Sequence, residues 1–330
     1  MAVSIEDIKK LRAMTGAGLS DCKNALNEAE GNIDAAVELI RKRGQAIAAK
    51  RSDREAAEGC VLVKVDGNFG AICALKCETD FVAKNADFVA LAKEIIEAAV
   101  AARCANLEEV KALTIGDATV AERITRQSGV TGEKMELDGY MTVTGEGLAA
   151  YDHQNNHMLC SLVAFNKACD AECGKNVAMQ VASASPAGVD QNSIAKEVID
   201  TELRVAVEKT KEEQVQKAVE AAIKKAGFNP AHFDSEDHME SNQAKGWITA
   251  EDVAKVKEII ATVSAEKAAN LNENMIQNIA QGRLKKFFKE NCLLEQEYIW
   301  DKALNVEGYL NSVEKGLTVT AFKRFTLRAE

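Results

Sequence analysis

Apolar residues in the first part of the chain recur every three or four positions. Residues 4–43 show this spacing in three successive segments, and it is typical of amphipathic helices. Ser4 and Asn32 stand where side chains cap the starts of helices, and glycines separate the segments. The pattern predicts a module of three short helices, followed by a charged linker at Lys50–Arg54.

The apolar period then changes from helical spacing to alternation. Val61, Val63 and Val65 alternate with other residues up to a turn at Asp66–Asn68, and Phe69–Leu75 predicts the returning strand of a hairpin. An alanine-rich helix follows this hairpin after a short loop. The same plan is repeated later in the chain.

The second copy predicts a strand at Gly147–Tyr151, a turn at Asp152–Asn156, a strand at His157–Phe165 and a helix at Glu172–Ala184. Further strands are predicted at Tyr140–Val143 and Leu317–Leu327. Antiparallel sheets combined with separate helices define the α+β fold class.

Helix-forming residues dominate two long stretches in the third part of the chain. Ile194–Ala226 and a stretch that begins at Thr249 each predict a helix of about 33 residues, roughly 50 Å long. One of only 2 prolines lies in the break between them, at Gly227–Trp247. Because the connection is short, we expect an antiparallel coiled-coil hairpin; a compact helical domain is the alternative. From Lys285 onward the pattern predicts a return to mixed structure.

Composition and charge restrict the classes of function. The chain has 330 residues, 47% hydrophobic and 28% charged, as expected for a globular protein with an ample core. Its formal net charge of −10 argues against phosphate-driven binding of nucleic acids, which needs clustered lysine and arginine. No apolar run approaches the ~20 residues that span a bilayer, and Met1–Asp7 does not have the composition of a secretion signal. We expect a cytoplasmic protein that binds neither nucleic acids nor membranes directly.

The 9 cysteines are scattered through apolar stretches, which predicts free thiols in a reducing compartment. The pairs Cys73/Cys77 and Cys169/Cys173 are spaced by four rather than three residues, and no histidine doublet lies near them. The sequence therefore predicts no metal site.

Two further patterns resemble functional motifs, but the residues around them argue against a phosphate loop and against a catalytic cysteine–histidine pair. Thr15–Gly18 is glycine-rich, but a helix precedes it and no Gly-Lys-Ser/Thr ending follows, so a turn between helices is favoured over a phosphate loop. His157 and Cys160 are three residues apart on a predicted strand and would point to opposite faces. We predict no catalytic residue, no cofactor and no enzyme activity.

The stretch Cys77–Asn85 holds the most informative aromatic residue. Phe81 follows a helix-capping Thr79–Asp80 pair, in a loop after a strand, where exposure is common. Two interpretations remain open at this point. Either Phe81 packs into the local core, or it is a rigid wedge that enters the pocket of a partner protein.

Several motifs resemble those of the bacterial elongation factor Ts family, and they span both ends of the chain. Thr79–Lys84 is similar to the family's TDFVAK motif, and Leu11–Leu26 to its pattern LRxxTGAGxxDCKxAL. The further matches are Gly31–Ala36, Tyr151–His153, Val177–Ala182, Gly282–Phe287 and Phe322–Phe325.

The resemblance implies an architecture of four parts: a ubiquitin-associated-like (UBA-like) three-helix module, two related α+β core subdomains with antiparallel sheets, and an inserted helical coiled-coil hairpin. The expected segments are 1–50 for the module, 55–145 for core subdomain N, 146–189 with 285–330 for core subdomain C, and 190–284 for the insertion. The insertion is longer than is common in the family.

The resemblance also implies a function: guanine nucleotide exchange on elongation factor Tu. Carried over by position, Thr79, Asp80, Phe81 and Val82 would contact the partner's GTPase domain and disturb its Mg²⁺ and phosphate site.

Other positions are implied as partner contacts by the same resemblance. Arg12, Leu19 and Lys23 would contact the partner from the N-terminal module, and His153 from the second subdomain, although His153 is equally well explained as a turn residue. The competing interpretation is a UBA-type, coiled-coil scaffold without exchange activity, and a homodimer through the hairpin stays open.

Overall fold

The computed structural model describes residues 3–328. It forms two compact units: one contains the chain up to Val189 together with the chain from Gln296 onward, and the other is Asp190–Glu295. Helices and small antiparallel sheets are both present, which confirms the α+β class. Within residues 3–328, no helix combines the length and hydrophobicity needed to cross a bilayer.

Three helices form the N-terminal module, as the apolar spacing predicts. They are α1 (Ile5–Thr15), α2 (Leu19–Glu28) and α3 (Ile33–Lys50). The Ser4 side chain accepts a hydrogen bond from the Asp7 N–H, and Asn32 accepts one from Ala35, so both predicted caps are present. The core of the module consists of Leu11, Ala17, Cys22, Ala25, Leu26 and Ala36.

A three-stranded antiparallel sheet with the order β1-β2-β5 follows the module. Its elements and the helices between them are β1 (Glu58–Asp66), β2 (Phe69–Cys77), α4 (Asp80–Ala83), α5 (Ala86–Ala101), α6 (Leu107–Ala112), β3 (Thr114–Ile115), β4 (Ala118–Thr119), α7 (Val120–Thr131) and β5 (Met135–Thr144). Asp66 lies opposite Phe69 at the predicted hairpin turn. One face of the sheet packs against α5, whose Phe88 and Ile95 are fully buried.

The third helix is longer than predicted, because it ends at Lys50 rather than near residue 43. Its added turns pack against α7. A Cβ atom on Gly129 would fall well inside contact distance of the Gly44 Cα atom, so two glycines allow the helices to cross closely. This packing stabilises the last turns of α3, where the sequence alone indicated the approach to a linker.

The predicted second hairpin is present and is again followed by a helix. It consists of β6 (Gly147–Asp152) and β7 (Leu159–Phe165), and the helix is α8 (Ala171–Ala184). The second strand begins at Leu159 instead of His157. His157 has a positive φ of 58°, which is not a strand conformation.

The second unit is helical. It contains α9 (Lys196–Lys225), α10 (Glu236–Ala244), α11 (Ala250–Ala269) and α12 (Glu273–Asn291). α9 packs alongside α11 and α12. Ile223, near the end of α9, clusters with Val256, while Glu213 pairs with Arg283 further along the returning chain. The chain therefore runs back along α9 in the opposite direction.

The prediction of one continuous returning helix is wrong. The chain leaves the helix at Asn270 and re-enters it after Asn272, whose side chain accepts a hydrogen bond from the Met275 N–H. Asparagine side chains compete for backbone hydrogen bonds and so favour helix ends over helix interiors. α12 then continues to Asn291, beyond the predicted return to mixed structure at Lys285.

The segment between α9 and α11 is folded rather than a simple break. It contains a 3₁₀ turn at Pro230–His232 and the helix α10. Its small core consists of Ile223, Phe233, Met239, Ile248 and Val256. This core closes the end of the helical unit, and Trp247 lies outside it with 61% of its surface exposed.

The last elements return to the first unit. They are β8 (Glu297–Tyr298), β9 (Asp301–Asn305), α13 (Val306–Val313) and β10 (Val319–Thr326). β10 pairs with β7 to complete a second antiparallel sheet with the order β10-β7-β6. Ile72 and Ala74 of the first sheet are buried with Leu162 and Ala164 of the second. One face of β2 packs against this second sheet and the other packs against α5. β2 is therefore apolar on both faces and shows no alternation of apolar and polar residues.

Candidate functional site

Phe81 is strongly exposed, with 84% of its surface accessible. It is the second residue of α4, a single helical turn that directly follows the end of β2. Val82 and Ala83 of the same turn pack against the core around α5. The interpretation that Phe81 packs into its own core is therefore wrong, and the ring is available to another molecule.

The backbone that carries Phe81 is anchored by Glu133, which lies between α7 and β5. One carboxylate oxygen of Glu133 accepts hydrogen bonds from the Glu78 and Thr79 N–H groups, at 3.2 and 3.0 Å. The other accepts from the Thr79 hydroxyl at 2.6 Å. Thr79 Oγ1 in turn accepts from the Val82 N–H at 3.5 Å, as the predicted cap of the turn. Glu133 could not be identified from the sequence, because no local pattern links it to Thr79, 54 residues earlier.

Glu78 forms a second anchor on the same loop. Its carboxylate accepts a hydrogen bond from the Lys134 N–H at 2.6 Å, and it pairs with Arg51 at 2.8 Å and Arg54 at 3.1 Å. The Lys134 hydrogen bond and these two guanidinium groups lower the pKa of Glu78 from its usual 4.5 to about 2. The loop is thereby joined to the segment that leaves the N-terminal module.

Asp80 places a negative charge beside the exposed ring. Its carboxylate accepts a hydrogen bond from Lys84 Nζ at 2.6 Å, one helical turn further on. This hydrogen bond and the lysine charge hold the pKa of Asp80 below its usual value. Both side chains are exposed, so the ion pair can be exchanged for contacts with a partner.

The three positions implied on the N-terminal module are all exposed. Arg12 lies in the last turn of α1, Leu19 begins α2, and Lys23 follows one turn later. Leu19 exposes 53% of its surface, and Ile5 and Met14 of the same module expose an even greater fraction. One apolar and two basic side chains are thus exposed on α1 and α2.

His153 lies at a tight turn between β6 and β7. Gln154 and Asn155 both have positive φ angles there, of 57° and 52°. The His153 ring is half-buried and meets Tyr151 edge to face, with 3.2 Å between Nδ1 and the tyrosine hydroxyl. Among the described residues, no hydrogen bond or ion pair joins His153 to Phe81 or to the three positions on the module.

The structure does not pair the histidine and cysteine considered from the sequence. His157 Nδ1 contacts Asp152 at 2.5 Å, whereas the Cys160 thiol donates to the Val61 carbonyl at 3.4 Å. Burial raises the pKa of Cys160 and raises that of Cys60 to about 12, so both stay protonated at neutral pH. This arrangement supports packing rather than nucleophilic chemistry.

One exposed apolar pair was missed by the sequence analysis. Ile299 and Trp300, at the turn between β8 and β9, expose 40% and 61% of their surface. Beneath them Tyr298 is buried and stacks on Tyr309, with 4.0 Å between ring centroids. The Ile299 N–H donates to the buried Gln180 side chain at 2.9 Å, which fixes the turn. The apolar run Tyr298–Trp300, which acidic residues flank on both sides, was the sequence feature that could have indicated this pair.

Comparisons with known proteins identify similar chains. A family profile described as Elongation factor TS matches residues 78–234 and 235–329. A protein named Elongation factor Ts from Bacteroides fragilis is 66% identical over 330 residues, and one from Bacteroides thetaiotaomicron is 62% identical over 330 residues. A protein of the same name from Porphyromonas gingivalis is 42% identical over 331 residues. All three matches cover the full length of both chains.

Proposed function

The chain belongs to the elongation factor Ts family, and we propose that it acts as a guanine nucleotide exchange factor for elongation factor Tu. The observation that carries the proposal is the exposed Phe81 ring on an anchored turn. The chain would act in the cytoplasm during translation elongation. It would make or break no covalent bond itself.

The anchoring of the turn suits Phe81 to an interface. Burying a phenylalanine side chain contributes about 1.5–3 kcal/mol. Because Glu133 already holds the backbone of Glu78 and Thr79, little further ordering is needed when the ring enters a partner. A preorganised aromatic residue of this kind has the properties of an interface hot spot.

Nucleotide release follows from linkage rather than from chemistry on the nucleotide. If the factor binds the nucleotide-free GTPase more tightly than the GDP form, GDP and the factor must weaken each other's binding by the same factor. Mg²⁺ is a sensitive target, because it requires near-ideal octahedral geometry. A ring pressed between elements of the GTPase domain would displace the groups that hold the ion, and the Asp80 carboxylate beside it would add a negative charge.

Other exposed groups are proposed as supporting contacts. Arg12, Leu19 and Lys23 would bind the partner from the N-terminal module, and His153 from the turn after β6. The apolar pair Ile299–Trp300 offers a further contact, since both side chains are exposed on a fixed turn. Several separated contacts would bind the partner in one orientation, which a wedge requires.

The test is release of a fluorescent GDP from elongation factor Tu, measured with wild-type chain and with Phe81→Ala. If the ring supplies about 2 kcal/mol to the distorted complex, stimulated release falls about 30-fold. The melting temperature should not change, because the ring is exposed. Trp247→Ala removes another exposed aromatic residue, in the helical unit, and should leave release unchanged.

Two results would contradict the proposal. Wild-type chain that leaves bound GDP undisturbed would favour the scaffold function. Phe81→Ala that stimulates release like the wild type would show that the ring is not the wedge.

A further inference from the structure

The start of α8 brings two thiols and a carboxylate together. The sulfurs of Cys169 and Cys173 and a carboxylate oxygen of Asp170 all lie within 4.8 Å of one another. Within residues 3–328, this is the one set of three or more histidine, cysteine or acidic side chains with such proximity. The function proposed above does not use it.

The backbone explains why a spacing of four residues still brings these groups together. Asp170 is the N-cap of α8, Cys169 precedes it, and Cys173 is the third residue of the helix. Asp170 Oδ1 accepts hydrogen bonds from the Glu172 and Cys173 N–H groups at 3.0 and 2.9 Å, which holds the carboxylate over the first helical turn. Spacing along the sequence alone does not reveal this effect of the helix start.

The start of α8 is closely packed beside Cys169. A Cβ atom on Gly174 would lie 2.9 Å from the Ala149 Cβ atom and 4.0 Å from the Cys169 sulfur, so the glycine lets β6 approach the helix at this point. Cys173 is buried, whereas Cys169 is half-buried and Asp170 is exposed. The three donors thus form a small cluster that is closed on the protein side and open to solvent on the other.

We propose that Cys169, Asp170 and Cys173 bind a zinc ion. Zinc takes thiolate and carboxylate ligands in a tetrahedral arrangement, and water can occupy the fourth position. Zinc–sulfur bonds of about 2.3 Å place two sulfurs about 3.8 Å apart, so a shift of at most about 1 Å, within reach of a half-exposed cysteine, completes the site. On binding, two sulfur–zinc bonds form and each thiol releases its proton to solvent, with no change of oxidation state.

Soft and hard donors together favour zinc over other common ions. Mg²⁺ and Ca²⁺ prefer all-oxygen sites, which two cysteines do not offer. Oxygen Oδ1 of Asp170 is engaged with the helix, and among the described residues Oδ2 accepts no hydrogen bond, so it is available to the ion. Bound zinc would fasten the segment after β7 to the first turn of α8.

In the experiment, the full-length, reduced chain is incubated with Zn²⁺ alone and passed through a gel-filtration column. The zinc that remains bound is then measured with a chromogenic chelator. We expect about one zinc per chain in the wild type. Cys169→Ser and Cys173→Ser should lose it. Asp170→Asn keeps a capping oxygen and should bind at least about tenfold more weakly. Cys104→Ser, at another buried cysteine, is the matched control and should bind like the wild type.

Cobalt substitution gives a second measurement that does not depend on activity. Co²⁺ should produce a thiolate-to-metal charge-transfer band in the wild type and in Cys104→Ser, and not in Cys169→Ser. Since Cys169 is only half-buried, its serine variant should fold even if that of Cys173 does not.

Three outcomes would overturn the proposal. The first is wild-type chain that retains no zinc, and the second is zinc bound equally by Cys169→Ser. The third is a reduced chain that rejects zinc and closes a Cys169–Cys173 disulfide once reductant is removed, which would make the pair a redox-sensitive dithiol.

Discussion

Glu133 offers a direct test of whether the exposed ring must be held in place. Glu133→Ala removes all three hydrogen bonds that the carboxylate accepts from Glu78 and Thr79. The variant leaves Phe81 itself and the core beneath α5 unchanged. It therefore separates the presence of the ring from its orientation.

The expected magnitude follows from these contacts. Each partly buried hydrogen bond contributes about 1 kcal/mol net. Loss of all three should therefore lower the free energy of opening the loop by about 3 kcal/mol. Amide exchange at Thr79 and Val82 should then become roughly a hundredfold faster, because local opening controls exchange. Global stability should fall less, since the released N–H groups can bind water and the Phe88 cluster stays intact.

Hydrogen exchange by NMR and stimulated GDP release from elongation factor Tu together provide the assay. We expect Glu133→Ala to exchange faster at both amides and to stimulate release less than the wild type. Glu136→Ala is the control, because it removes only surface ion pairs with Lys76 and Lys134. If Glu133→Ala exchanged faster at Thr79 yet stimulated release normally, preorganisation of the loop would not matter. If amide exchange did not change, the anchoring of the loop by Glu133 would be refuted.

The remaining predictions concern stability. The pKa of Glu78 is lowered on folding, so its carboxylate stabilises the fold above its usual pKa of 4.5, and this contribution is lost as the pH falls toward about 2. The difference in melting temperature between wild type and Glu78→Gln should accordingly shrink across that range, and a constant difference would contradict the assignment. Gly129→Ala should destabilise the chain by at least about 1–3 kcal/mol in denaturant unfolding, because its Cβ would collide with Gly44. Gly282→Ala, in α12 with no atom near the new methyl group, should instead stabilise by about 0.5–1 kcal/mol, and a loss there would mean that the site is not open.

Much of the local structure could be predicted because its causes lie within a few residues. The caps at Ser4 and Asn32 and the start of α4 at Thr79 each depend on one side chain and its neighbouring amides. The hairpin turn at Asp66–Asn68 depends on Gly67, whose φ is +56°. The break in the returning helix at Asn270 was missed, because the apolar spacing continues through it. The spacing of apolar residues alone does not reveal a side chain that competes for backbone hydrogen bonds.

The candidate site was only partly accessible to such reasoning. The local pattern left two interpretations of Phe81 open, a core residue or a wedge. Burial depends on what packs against the turn: Val82 and Ala83 take the inner positions, which leaves Phe81 outside. For Ile299 and Trp300 the apolar run was visible, but the buried Tyr298 beside them shows that hydrophobicity does not decide which side chain faces solvent.

By itself, the amino-acid sequence determined most of the longer helices and strands of this chain, several of their caps and turns, and through its motifs the family to which the chain belongs. Only the tertiary structure decided which side chains are free to meet another molecule. Glu133 reaches back to Thr79, Gly129 meets Gly44, and the start of α8 gathers Cys169 and Cys173. The physical reason is that hydrogen bonds, close helix contacts and ligand clusters depend on distance in space. Spacing along the chain controls that distance only within a turn or a hairpin.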